Sequence, residues 1–298
     1  MDAATGALAV DTVFNLAREH DYSSVLLKYA GGEATLNFAR IRQVHDRARN
    51  LAQDQGIALQ GVILTNGTNL RRDMIDYIRS EQLHLQISLD GLQDVHDQQR
   101  PYVSGRGSYE RVARTIERVR AAGIDPSITI TVTSESAPAL AETVQFALEA
   151  DLQFTISFYR GHEKTMAATV EQKTLLAGMH MAFAEIASQL PRRRLVDGLI
   201  DLARFEPHQH SCAAGDSYLV IDHHGGIARC QMEIQSPVTH LGAANPLHVI
   251  QLEQTGFQRI AVDTKEGCRT CQWRHWCAGG CPALTYRVTG RNDVQSPY

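Results

Sequence analysis

The sequence predicts an α/β fold built on a parallel sheet, followed by a small cysteine-rich domain. Three observations carry that prediction. From residue 11 to about 190, short apolar runs alternate with longer amphipathic ones, the pattern of strand–helix units in a doubly wound sheet or a barrel. Small, polar, glycine-bearing loops recur after the apolar runs. All 6 cysteines lie in the last third of the chain, four of them in Cys268-Arg-Thr-Cys-Gln-Trp-Arg-His-Trp-Cys-Ala-Gly-Gly-Cys281.

Strands are expected at 24–29, 61–64, 85–89, 128–132 and 154–158. Between them, Asn37 is placed to cap a helix carrying Phe38, Ile41, Val44, Ala48 and Leu51 and ending near Gly56. Ser108 is placed to cap a second, with Val112, Ile116 and Val119, ending at Gly123. Leu140, Val144 and Leu148 mark a third. These are helix-period stripes with start and stop signals. The periodicity breaks at Pro191-Arg-Arg-Arg194 and at Pro207-His-Gln-His210, which sets a domain boundary near 206: a first domain over 1–205 and a second over 206–298. In the second, a strand over 218–221 and a turn at His223-His-Gly-Gly226 suggest a hairpin that would bring Cys212 near Cys230. Residues 233–262 are uninformative, and no repeat or low-complexity tract is present.

In either parallel architecture, ligands gather beyond the C-terminal strand ends. The loops there are Gly31-Gly32-Glu33, Thr65-Asn66-Gly67-Thr68, Ser88-Leu-Asp90-Gly91, Thr131-Val-Thr-Ser134 and Tyr159-Arg160-Gly161-His162. Any one of them could be an ordinary turn. Five on one edge point to a ligand site. Glu33 is either a helix-start carboxylate or a receptor for a cationic amine. Asp90 could cap a turn, and Arg100 could lie on the surface or pair a ligand carboxylate.

Bulk properties narrow the function classes. The 298 residues are 43% hydrophobic and 21% charged, as in an ordinary globular protein. A net charge of −4 gives no electrostatic case for nucleic acid or an anionic membrane. The first ten residues lack the basic start and apolar core of a signal peptide, and no apolar run has the length of a membrane span. A cytoplasmic setting is expected, where clustered cysteines favour metal binding over disulfides.

The spacing Cys-x2-Cys-x5-Cys-x3-Cys suits zinc, copper(I) or an iron–sulfur cluster. Gly279 and Gly280 free the backbone to fold around the metal, and Trp273 and Trp276 are expected to screen it from water. Six sulfurs exceed one tetrahedral site and fall short of the eight needed for two. His208, His210, His223, His224 and His275 are other candidate ligands, each also readable as a surface histidine. A structural zinc knuckle stays open at this point.

Taken in order, Gly31-Gly-Glu33, Thr65-Asn-Gly67, Ile87-Ser-Leu-Asp-Gly91, His96-Asp-x-x-Arg100 and Gly105-Arg-Gly-Ser108 resemble the barrel of radical S-adenosylmethionine (SAM) enzymes. Cys212, Gly225 with four residues to Cys230, and the run Cys268 to Cys281 resemble their SPASM extension. The resemblance implies a partial (β/α)6 TIM-like barrel, here with its first strand missing. It implies that Gly31, Gly32 and Glu33 bind the methionine amino group of SAM. Thr65, Asn66, Gly67, Ser88 and Asp90 would form the wall around it, with Arg100 toward its carboxylate. Cys212, Cys230 and Cys281 would hold a first auxiliary [4Fe–4S] cluster, and Cys268, Cys271 and Cys277 a second. The partners implied are a peptide or protein substrate and an electron donor such as flavodoxin or ferredoxin.

Three departures qualify what is carried over. The family's Cys-x3-Cys-x2-Cys loop would precede the first residue, and no cysteine precedes Cys212. The chain as written is therefore expected not to generate a 5′-deoxyadenosyl radical. It stops at Ser296-Pro-Tyr298, where the family's last cysteine commonly follows, so a trimmed fragment is expected. Ala34 replaces the usual proline. In addition, Gln231 stands where the sulfatase-maturing branch has an aspartate. The segment Trp276-Cys-Ala-Gly-Gly-Cys-Pro282 resembles maturases that crosslink ribosomally made peptides. The function expected of the parent enzyme is reductive cleavage of SAM, hydrogen abstraction from a peptide side chain and crosslink formation. The rivals are a non-catalytic peptide- or partner-binding module with a structural zinc or iron–sulfur site, and an enzyme of the sulfatase-maturing type.

Overall fold

The computed structural model describes residues 1–161, 171–191, 199–200 and 206–297. His162, the basic run 192–194 and Tyr298 lie outside the described residues. Five strands form one sheet in chain order: β1 Ser24–Tyr29, β2 Ala58–Thr65, β3 His84–Ser88, β4 Ser127–Val132 and β5 Gln153–Phe158. β2 to β5 pair in parallel, with Ile63 opposite Leu85, Ile87 opposite Ile128 and Ile130 opposite Ile156. All six of these side chains are fully buried, as a parallel sheet covered on both faces requires. A single parallel bridge from Ile156 to Ile200 continues the pairing past β5.

The helices are α1 Ala3–Glu19, α2 Phe38–Gln55, α3 Arg72–Ser80, α4 Gln93–Gln99, α5 Tyr109–Ala121, α6 Leu140–Glu149 and α7 Gln172–Ser188. The expected stripes are the buried faces: Phe38, Ile41 and Ala48 on α2, Val112, Ile116 and Val119 on α5, Leu140, Val144 and Leu148 on α6. α2 ends at Gly56 with φ +66, the left-handed C-cap that glycine adopts without strain. The expected caps differ from what forms. Neither Asn37 nor Ser108 makes a side-chain cap bond. The start of α5 is capped instead by Asp97, whose Oδ1 accepts the amides of Ser108 at 2.6 Å and Tyr109 at 2.7 Å. Gly107 permits this, because a Cβ there would overlap Asp97 Oδ2.

Packing divides the chain into two compact units. The first takes in 1–27, 37–60 and 202–298, and the second 28–36 and 61–201. In the first, α1 and α2 lie close because Gly6 offers no side chain: a Cβ there would sit 3.0 Å from Val44 Cγ2. They share a core of Val10, Phe14, Ala17, Ala48 and Ala52. The same unit holds an antiparallel sheet of β6 Val220–Ile221, β7 Gly226–Ala228 and β8 Thr239–His240, with α8 Pro246–Leu252, α9 Arg274–Cys277 and α10 Pro282–Thr289. The strand expected over 218–221 is confined to its last two residues. In the second unit α6 packs on α7, alongside α3 to α5 and the apolar registers of β2 to β5. No described helix is long and apolar enough to cross a membrane.

Replacing Asp97 with Ala removes the α5 cap and should lower stability by about 1 kcal/mol. A thermal melt of the variant beside wild type measures it, and an unchanged melt would show that the two amide bonds contribute nothing net.

Candidate functional site

The loop after β1 is open. Gly31, at φ +153, and Gly32 have nothing within 4 Å of where a Cβ would be. Glu33 follows, and its carboxylate is held by its own chain. Oε1 accepts from Thr35 N at 3.0 Å, Thr35 Oγ1 at 2.7 Å and Thr65 Oγ1 at 2.7 Å. Among the described residues Oε2 accepts only the Asn66 amide, at 2.7 Å. A carboxylate offers about four lone-pair sites, so the remaining capacity for an outside donor is on Oε2. The β2 loop that supplies these donors is itself tied down. Asn66 Oδ1 accepts from Thr68 N at 2.9 Å and Thr68 Oγ1 at 2.8 Å. Gly67 sits at φ +73, where a Cβ would lie 3.0 Å from Ile87 Cγ2 and 3.3 Å from Val112 Cγ1.

A second carboxylate fixes the next strand ends. Asp90, only 2% exposed, follows β3. Its Oδ1 accepts the Thr131 amide of β4 at 2.8 Å, while Oδ2 accepts Gln99 Nε2 at 2.8 Å and Arg100 Nε. Both oxygens are thus used within the protein, and Asp90 acts as a tie between β3, β4 and the end of α4. Arg100 is held by that pairing and by a long contact from Nη2 to Thr131 Oγ1, at 3.5 Å. Ser88 ends β3 opposite Thr129. Fully buried His96 completes the network. Its Nδ1 accepts the Asp90 amide at 3.3 Å, its Nε2 donates to Ser108 Oγ at 3.1 Å, and Ser108 donates to the Arg100 carbonyl at 2.7 Å. Burial lowers the His96 pKa, in keeping with the neutral ring this bonding needs. The roles of Gln99, Thr131 and His96 were not assigned from sequence, since they depend on which strand ends meet.

The thiols fall into two sets. Cys212, Cys230 and Cys281 share an apolar cluster with Ala214, Phe257 and Ala283. Burial raises the pKa of Cys212 and pushes Cys230 up to about 11, and the nearby charge of Cys281 adds to both. Cys268 packs with Val262 and Ala278, and its pKa is raised by burial and by Cys277 and Cys271. The backbone wraps tightly here: the Cys271 amide donates to Cys268 O at 2.8 Å, and Gly279 and Gly280 take φ +75 and +71. All six thiols are unpaired by disulfides. Among the described residues, no three His, Cys, Asp or Glu side chains gather tightly enough to hold a single metal ion. A four-iron cluster is a wider object whose corners separate its ligands.

The expected screen of tryptophans is not there: Trp273 is 61% and Trp276 39% exposed. The α9 turn that carries them turns both rings outward. Of the candidate histidines, His275 Nε2 pairs with Asp263 at 2.9 Å, and His223 and His224 stack on each other at 3.8 Å. The unforeseen residue is Lys265. It is 2% exposed, and its stem crosses Gly279, where a Cβ would lie 2.8 Å from Lys265 Cδ, 3.1 Å from Nζ and 3.3 Å from Cys268 Sγ. Burial lowers its pKa, and Cys268, Cys212, Cys277 and Cys281 oppose that shift.

Residues 6–147 match the family model of the radical SAM superfamily. An uncharacterized protein of Methanocaldococcus jannaschii is 28% identical over 148 residues, 50% of this chain and 49% of that protein, so the chain's match spans about half that relative's length. A cysteine-type anaerobic sulfatase-maturating enzyme of Clostridium perfringens is 20% identical over 273 residues, 85% of this chain and 72% of the relative. Among solved structures, native anSMEcpe with bound AdoMet superposes with a TM-score of 0.77 at 16% identity, covering 99% of this chain and 84% of that one. Streptococcus suis SuiB bound to S-adenosylmethionine superposes with a TM-score of 0.64 at 14% identity, covering 99% and 69%. At such identities the structural likeness carries the fold, a partial TIM-like barrel built on the five-stranded sheet. The family match, set on that sheet, makes residues 6–147 a domain of the radical SAM superfamily, a superfamily of enzymes.

Proposed function

We propose that the chain is the barrel and auxiliary-cluster portion of a radical SAM oxidoreductase that matures a peptide or protein, with residues 1–205 as the barrel and 206–298 as a SPASM domain. The observation that carries this reading is the sorting of the thiols into Cys212, Cys230, Cys281 and Cys268, Cys271, Cys277. Three thiolates at each place suit [4Fe–4S] clusters, which cysteine sulfurs hold. Bound there, such clusters would supply an electron acceptor for a substrate radical. The residues present do not fit the SAM-cleaving cluster, because no thiol precedes Cys212.

For SAM, the open Gly31 and Gly32 leave room beside Glu33, whose Oε2 is the acceptor for the methionine ammonium. Thr65 and the Asn66 amide aim that carboxylate. Gly67, Ser88 and Asp90 shape the wall, and Arg100, steadied by Asp90, would meet the SAM carboxylate. A peptide substrate is supported by solved neighbours that carry one, anSMEcpe with the Cp18Cys peptide and SuiB with precursor peptide SuiA. Crosslinking is favoured over the sulfatase-maturing reaction because Gln231 is a neutral amide, its Oε1 accepting from Tyr218 Oη at 2.8 Å, and cannot serve as a carboxylate base. A flavodoxin- or ferredoxin-like donor and a reducing cytoplasm complete the reading.

Anaerobic reconstitution should load about eight iron and eight sulfide per chain; zinc uptake without sulfide would overturn the reading. Glu33→Gln should weaken SAM binding by about tenfold, the scale of one charge-assisted hydrogen bond, as measured by equilibrium dialysis. In the metal-free chain at pH 8, exposed Cys277 should alkylate first and Cys230 last. With its pKa at about 11, Cys230 is ionised to on the order of one part in a thousand at that pH. Mass spectrometry of the labelled thiols tests the order, and Cys230 labelling should accelerate as pH rises toward 11.

A further inference from the structure

We propose that the Lys265 ammonium is a counter-cation shared by the two thiol sets, a positioning residue that raises the reduction potential of both. The inference rests on reading the six cysteines as cluster ligands.

A buried ammonium is costly unless an anion faces it. Lys265 is 2% exposed, and among the described residues no carboxylate forms an ion pair with it. The nearest acids in sequence are committed elsewhere. Asp263 binds Arg274 at 2.8 Å and His275 at 2.9 Å, and Glu266 binds Arg291 at 2.9 Å. The end of Lys265 lies among the cysteines: a Cβ on Gly279, between Cys277 and Cys281, would sit 3.1 Å from Lys265 Nζ and 3.3 Å from Cys268 Sγ, and Lys265 lines one small cavity with Cys212.

The placement is built into the backbone. Lys265 N donates to Val262 O at 3.1 Å, and Lys265 O accepts the amides of Cys268 at 3.1 Å and Arg269 at 3.0 Å. The residue is therefore the start of the turn that presents Cys268 and Cys271. Gly279, between Cys277 and Cys281, keeps clear the space the lysine stem crosses. Thiolate-bound iron–sulfur clusters carry negative charge, and reduction adds one more. A fixed cation beside the sulfurs favours the reduced form.

The test uses the full chain, reconstituted anaerobically and titrated with reductant while paramagnetic resonance follows each cluster. Lys265→Met keeps the stem and removes the charge; Lys265→Arg keeps the charge. The Met variant should shift both midpoints downward by about tenfold in the oxidised-to-reduced ratio at fixed potential, about 59 mV for one electron. Lys265→Arg should restore them. If Lys265→Met does not load, Lys265→Gln carries the same expectation; loss of clusters from both neutral variants but not from Lys265→Arg also supports the role of the charge. Loss from all three variants overturns the inference. So do unchanged potentials in a well-loaded neutral variant, or a shift of one cluster only, and both leave the cluster reading intact. Wild type that takes up zinc without iron and sulfide overturns that reading and this inference together.

Discussion

A carboxylate taken out of water must be given hydrogen-bond donors by the protein, and that requirement organises the strand ends of the barrel. Asp90 meets it with an amide of β4, the Gln99 amide group and Arg100. Each donor belongs to an element that would otherwise end loosely. Glu33 does the same for β1 and β2 with Thr35, Thr65 and Asn66. Removing Arg100 would leave the buried Asp90 charge uncompensated, at a cost of several kcal/mol, so this tie holds its loops in one arrangement. The exposed pair Arg114–Glu110, at 3.7 Å on the surface of α5, has no such leverage.

Rigidity at those loops matters for function because positioning depends on it. The Glu33 carboxylate is held by four donors, three on Oε1 and one on Oε2. Arg100 is aimed by Asp90. His96 supports both through the backbone, since its ring spans the Asp90 amide and Ser108, which in turn fixes the Arg100 carbonyl.

Much of this fold could be read from the chain, and the reason is local. The runs at 128–132 and 154–158 bury their large apolar residues because the parallel sheet is covered there on both faces, the run at 24–29 is buried only at alternate residues, and the stripes on α2, α5 and α6 have the helix period. The caps could not be read so: Asp97 lies eleven residues before Ser108 and reaches its amide only after the intervening loop folds back. The Gly-Gly-Glu and Asp-Gly stretches were legible as loops at the strand ends, but not that Asp90 spends both oxygens internally. Trp273 and Trp276 were misjudged for a similar reason. Which way a ring points on a single-turn helix is decided by packing, not by its neighbours in sequence. Lys265 was invisible because nothing in its sequence context separates a buried lysine from a solvated one.

The cysteine region shows what such a lysine does to the empty site. Burial raises the pKa values of Cys212, Cys230 and Cys268, so without metal these three favour the neutral thiol. A neutral thiol does little for a buried ammonium. On the reading proposed above, metal binding would take the protons from the thiols and place anions beside Lys265, and the binding free energy would be felt as folding free energy.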